Sequence, residues 1–173
     1  MSHRLLAVIH VSLAAMIAGC SSGVAETPPM TAETEARLAA GAIAQACRVE
    51  CARLTVYIRD ELITVGSLAG QTEQMPEITR DAINQEMGEV RFVDRTEASE
   101  LVADDGLVDG GKGVLVSVGP LAELAPNVVG FEVGMTTAHD GFYGQTIQFQ
   151  WTGDAWEPAT SEETGVTVTS SVS

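Results

Sequence analysis

The chain has 173 residues, enough for a single domain with a real hydrophobic core. Its 24 Asp and Glu against 9 Lys and Arg leave a formal net charge of −15 at pH 7. Such a surface repels nucleic-acid phosphates and anionic lipid headgroups, so no nucleic-acid partner is expected and acidic lipid cannot supply a membrane affinity.

The chain starts Met1-Ser2-His3-Arg4, a short cationic stretch, and continues into a mostly apolar run, Leu5 to Ile17, interrupted by His10 and Ser12. This run has the length of a signal-peptide core and falls short of the about 20 apolar residues that a permanent span requires. It ends Ile17-Ala18-Gly19-Cys20-Ser21, an aliphatic residue, two small residues and a cysteine. In order, spacing and position this resembles the lipobox of bacterial lipoproteins, over residues 1–22 only. The resemblance implies a signal peptide at 1–19, cleavage before Cys20 and a diacylglyceryl group on Cys20, which becomes the new N-terminus. Two acyl chains are physically sensible, since one gives only marginal, reversible membrane binding. The implied location is the extracytoplasmic face of a membrane. In a one-membrane cell that is the plasma membrane. In a two-membrane cell, Ser21 resembles the residue that permits outer-membrane sorting. Loss of Arg4 with the peptide makes the mature chain one unit more acidic.

Residues 20–30 are small, polar and Pro-containing, and read as a lipid-anchored tether. A first helix is expected from Thr31 to Ala46, capped by Thr31 or Thr34, with Glu33 and Glu35 at its positive end and Leu38, Ala42 and Ile43 on its buried side. Cys47 and Cys51 follow. In an exported chain such a pair reads first as a disulfide. Helical neighbours four apart hold their Cβ atoms about 5–6 Å apart, whereas a disulfide wants about 3.5–4.5 Å. The bond therefore asks the helix to fray or end near Cys47. Zinc is the weaker reading, because a site usually needs four ligands and the mature chain offers one histidine, His139.

Leu54 to Arg59 is a β-type run, and 60–74 is ambiguous. Pro76 and Gly88 suit the first turn and the stop of a second helix, with Ile78, Ala82, Ile83 and Met87 on one side. Val90 to Val93 predicts a short strand. Asp94 and Glu97 resemble a capping box for a third helix to about Ala103. Gly106, Gly110, Gly111 and Gly113 break the chain, and Val114, Val116 and Val118 then alternate on one face of a strand. Pro120 to Asn127 reads as a connection. Val129, Phe131, Val133 and Met135 alternate, as do Ile147, Phe149 and Trp151. Thr146, Gln148 and Gln150 form an opposite, wet face. Face matching favours a three-residue hairpin loop, His139-Asp140-Gly141, pairing Phe131 with Phe149 and placing Gly141 in the left-handed conformation. A Gly153-Asp154 turn of type II′ sets Trp151 opposite Trp156. Val166 to Ser170 suggests an edge strand. The sum is one α+β domain over 31–173: a mixed β-sheet with helices on one face, α/β alternation first and an antiparallel meander after it.

No stretch spells a known catalytic constellation. Gly106 to Gly113 approaches a P-loop, but its last position lacks the hydroxyl and a strand follows where a helix must begin. Asp104, Asp105 and Asp109 do not match an EF-hand, and a solvated turn is preferred to an irregular calcium loop. His139 sits in a predicted turn and reads as a turn residue. One histidine and no Gly-x-Ser-x-Gly give a serine triad little support. No catalytic, cofactor-binding or metal residue is assigned. The expected role is a non-enzymatic envelope binding or interaction domain with an envelope protein or cell-wall partner. A carboxylate-based glycan hydrolase and a carrier of a small apolar ligand are the alternatives. The former requires two carboxylates in one cleft, the latter a sizeable apolar cavity.

Overall fold

The computed structural model describes residues 27–63, 72–102, 106–138, 141–168 and 171–172. The expected signal peptide, Cys20, Asp104, Asp105, His139 and Asp140 lie outside these. The elements run α1 (Ala32–Glu50), β1 (Thr55–Ile63), β2 (Thr72–Gln74), α2 (Glu77–Met87), β3 (Arg91–Val93), α3 (Arg95–Leu101), a 3-10 turn (Asp109–Gly111), β4 (Gly113–Val118), β5 (Ala122–Ala125), β6 (Val128–Ala138), β7 (Gly141–Trp151), β8 (Trp156–Ala159), α4 (Ser161–Thr164) and β9 (Ser171–Val172). The class is α+β on one mixed sheet, as the sequence pattern implies.

Local chemistry accounts for most helix ends. Thr31 caps α1 by accepting the Thr34 N–H at 3.1 Å. Gly88 ends α2 at φ +80°, a conformation open to glycine. Asp94 caps α3 by accepting the Glu97 N–H at 2.9 Å. The Glu97 carboxylate does not close the box; it pairs instead with Arg91 at 3.1 Å. In α2, Ile83 is buried and Ala82 and Met87 pack on the core as expected, while Ile78 faces water and Thr79 is buried instead.

In the sheet, β1 lies between β4, parallel to it, and an outer edge shared by β3 (parallel) and β2 (antiparallel). β4 and β5 share one edge of β6, β7 pairs along the other, and β8 and β9 share the far edge of β7. Ile58, Val114, Val116, Val118, Phe131, Val133, Ile147 and Phe149 form the main core with α1 and α2. Tyr57, Val93, Leu115 and Ala98 form a second cluster, which places α3 on the opposite face. Topology explains the split. The chain moves outward from β1 to β3 through α2, then back across β1 to β4 through α3. Two crossovers of the same hand that travel in opposite directions must lie on opposite faces. One-face coverage therefore holds for α1 and α2 only.

Four strand expectations change. The β6–β7 register pairs Phe131 with Ile147 and Val129 with Phe149, a slip of two residues from the face-matched pairing. The slip preserves every face, because side chains alternate with period two. Gly141 is the first residue of β7, opposite Ala138, and is not left-handed; a register shift between Thr136 and Ala138 absorbs the odd residue. The expected connection at 120–127 contains β5, which turns back through Asn127 at φ +63° to pair with β6. The last strand is Ser171–Val172, while 166–168 carry no regular structure.

Candidate functional site

Helix α1 lies along β7 with its first turns beside Trp151 and its last turns beside Tyr143. Its 19 residues span about 28 Å. A cleft opens at each end of this helix.

At the far end, α1 stops while β6 and β7 continue. The uncovered strand ends leave a cleft of about 470 Å³. Val114 and Met135 form its floor. Ala46 and Val49 wall it from α1 and Tyr143 from the start of β7, where Gly141 and Phe142 also border it, and Gln45, Thr137 and Gln145 supply the hydrogen-bonding groups. Among the described residues no Asp, Glu, Lys, Arg, His or Cys lines it. Val49 is 77% exposed and Tyr143 38%, so both lips are apolar and open to water. The Tyr143 hydroxyl reaches Gln145 Oε1 at 3.4 Å.

The sulfurs of Cys47 and Cys51 stand within bonding distance beside this cleft, with Cα atoms 4.8 Å apart. The helix does not fray at Cys47. It runs to Glu50, and Cys51 is its C-cap, donating its N–H to Cys47 O at 3.1 Å. The pair thus stands close enough to bond while the last turn stays helical, so the expected fraying is not needed. Val49 lies on the same turn but points to solvent, while both cysteines are buried, so this turn sets one lip of the cleft.

At the near end, a cleft of about 710 Å³ lies between the first turns of α1 and the β7–β8 turn. Trp151 and Trp156 are cross-strand partners, as the turn chemistry implies, with ring centroids 5.8 Å apart and planes tilted by 55°. Gly153 takes φ +105° and the Thr152 N–H donates to Ala155 O at 2.9 Å, closing the two-residue turn. Arg37 and Asp154 bring opposite charges to the same cleft. Trp151 Nε1 is buried without an acceptor. Pro28 and Trp156 also border an adjoining cleft of about 410 Å³ toward β5, where Glu123 lies. Met30 packs on the core, so the last residues of the expected tether are docked on the domain.

The P-loop-like run is used for packing. Asp109 takes φ +49°, a conformation Asp tolerates better than most residues, and its carboxylate accepts the Tyr57 hydroxyl at 2.9 Å. A Cβ on Gly113 would stand 2.8 Å from the Tyr57 ring, so glycine is required there for close approach. The Tyr57 phenol is held above its ordinary pKa by burial first and then by its bond to Asp109, with Arg91 opposing. Among the described residues no group of three or more His, Cys, Asp or Glu could hold a metal ion.

The polar face of β7 is not wet at its centre. Gln148 is 3% exposed beneath the chain after β8. Its amide donates to Ser161 Oγ and to Val166 O, each at 3.1 Å, and accepts from Thr164 Oγ1 at 2.6 Å. Helix α4 holds this strap through a full capping box between Thr160 and Glu163. The Glu163 carboxyl is held below its ordinary pKa, first by the Thr160 N–H. The Thr160-x-x-Glu163 spacing was a readable signal for this helix; nothing local signals that Gln148 is its anchor.

Comparison with known proteins finds no family model, no curated protein and no solved structure that matches this chain.

Proposed function

We propose that this is a membrane-anchored lipoprotein, acylated on Cys20 and bridged between Cys47 and Cys51, that binds an uncharged, largely apolar group in the cleft at the far end of α1. The observation that carries the reading is the chemistry of that cleft. It has an apolar floor and lips, amide and hydroxyl groups for orientation, and, among the described residues, no charged lining side chain. Its about 470 Å³ falls in the range of small-ligand sites. A glycan hydrolase needs two carboxylates facing one cleft. Among the described residues the far cleft has none, and the two near clefts have one each, Asp154 and Glu123. The occupant is then an apolar small molecule or an apolar side chain of an envelope partner.

A neutral, environment-sensitive naphthalene dye titrated into the purified protein tests this. Its emission rises with wild type, and Val49→Asp, an exposed change at the lip, abolishes the rise. An equal response from wild type and variant means that the dye binds elsewhere and the reading fails. Metabolic lipid labelling tests the address separately. Cys20→Ala loses the label; an unchanged label means that Cys20 is not the acceptor.

A further inference from the structure

The end of the domain where the described chain begins carries chemistry of its own. Thr27 borders one near cleft, and Pro28 borders both. Only six residues lie between Cys20 and Thr27, a reach of about 25 Å at most. Both tryptophans of the chain stand at this pole, in contact with each other and lining the larger cleft. Tryptophan favours the membrane–water interface, where an apolar ring and a polar edge are both accommodated. The cleft also carries Arg37 and Asp154, one charge of each sign beside the aromatic pair. That set fits a zwitterionic headgroup: guanidinium for the phosphate, and carboxylate with ring faces for the ammonium group. The chain's strong net negative charge disfavours an anionic surface and leaves the zwitterionic one.

We propose that the tether-side pole lies down on a zwitterionic bilayer, with the Trp151–Trp156 cleft seated among lipid headgroups. This rests on Cys20 as the anchor. The domain then has a fixed orientation, and the apolar cleft at the far end of α1 points away from the membrane. The anchor holds the chain near the surface, and the cleft converts a loose leash into a defined stance.

The two tryptophans are also the reporter. Lipid-modified protein is incorporated into phosphatidylethanolamine–phosphatidylcholine vesicles in which some acyl chains are brominated. The expected result is a blue-shifted emission that loses most of its intensity to bromine quenching. Arg37→Glu and Asp154→Lys, both exposed changes, restore intensity while the protein still sediments with the vesicles. Protein that sediments but keeps unquenched, unshifted emission overturns the proposal, because the domain then hangs free on its tether. A parallel sample separates the two readings. There the chain from Cys20 onward is coupled through the Cys20 thiol to a maleimide-bearing lipid in the same vesicles. Quenching in the coupled sample, with no vesicle binding by the native protein, means that the anchor assignment fails and the docking stands. No quenching in the coupled sample overturns the docking whatever the native anchor is. Soluble phosphoethanolamine or a glycan fragment that shifts the emission, where brominated vesicles do not, also overturns it and makes the cleft a soluble-ligand site.

Discussion

The two faces of the sheet are built by different rules. Under α1 and α2 the face is a continuous layer of Val, Ile, Phe and Met side chains, with Phe131 and Phe149 meeting edge to face at 6.5 Å. Size and shape complementarity hold that side, and any residue there is exchangeable in proportion to the apolar volume it fills. The opposite face is assembled from close approaches and directed bonds. Gly113 admits the Tyr57 ring, Gly134 admits the Phe142 ring, Tyr57 bonds Asp109, and Gln148 ties down a strap. A hydrophobic layer loses stability by degrees, whereas a bonded clamp is either closed or released.

The largest test of this contrast is Phe131→Ala. A fully buried aromatic ring removed from the layer costs about 3–5 kcal/mol. The urea midpoint falls, every probe of unfolding moves together, and the loss is global. If hydrogen exchange accelerates only locally around β6, the layer is not one cooperative core.

Gln148→Leu probes the other rule. It keeps volume and removes three bonds, leaving their partners to find water. The expected cost is about 1–3 kcal/mol. Here the loss is local: amides of 161–166 exchange faster and protease cuts the strap, while the α1 side keeps its protection. Unchanged exchange in the strap means that the clamp does not hold it.

The cysteine pair belongs to the layered side. A bond across so short a loop contributes about 2 kcal/mol. Alkylation without reductant, followed by intact mass, leaves Cys47 and Cys51 unmodified in protein from its own compartment. Cys47→Ala with Cys51→Ala lowers the midpoint and loosens Val49 at the cleft lip. Two alkylated thiols in the wild type rule out the bond.

Tyr57→Phe removes one bonded hydroxyl, a loss of about 1 kcal/mol. Its pH dependence is more diagnostic than its size. The phenol's folded-state pKa is raised, so its contribution is fully present below the unfolded value, near pH 10, and is lost as pH rises through the folded one. Wild type therefore loses stability in the alkaline range more steeply than Tyr57→Phe. Parallel alkaline curves remove Asp109 and burial as the cause.

The smallest effect has the opposite sign. Gly41 lies inside α1 over the layer, and a Cβ there would find the Phe149 ring at 3.7 Å, an ordinary contact. Gly41→Ala thus stabilises by about 0.5–1 kcal/mol through helix propensity. A destabilised Gly41→Ala, by thermal melt, would mean that α1 packs closer to β7 than this.

Alternation and turn chemistry made much of the layered side readable in advance. Val114, Val116 and Val118 announce one face, Thr31 and Gly88 announce helix ends, and Gly153 announces the Trp151–Trp156 pair. The β6–β7 register escaped the same reasoning for a definite cause. Two registers that differ by two residues satisfy face matching equally, so face matching cannot choose between them. Val49, Tyr143 and Met135 gave no sign that they share a cleft, because they come from three elements and carry no motif. Gln148 looked like one of three solvent-facing polar residues; what covers it lies later in the chain, beyond any local window.

Sequence alone made α1, α2, α3, β1, β3, β4, β6 and β7 legible, with the side of β4, β6 and β7 that seeks the core, and it supplied the acidic composition and the expectation of an anchor at Cys20. These follow from local dihedral preference, side-chain period and composition, all properties of neighbouring residues. Tertiary structure decided which face received α3, where β5 turned back, how β6 and β7 aligned, and which side chains line the two clefts. Those outcomes depend on the direction in which the chain crosses β1 and on how far each strand runs past the end of α1. Such distances and directions exist only once separate segments are packed against one another.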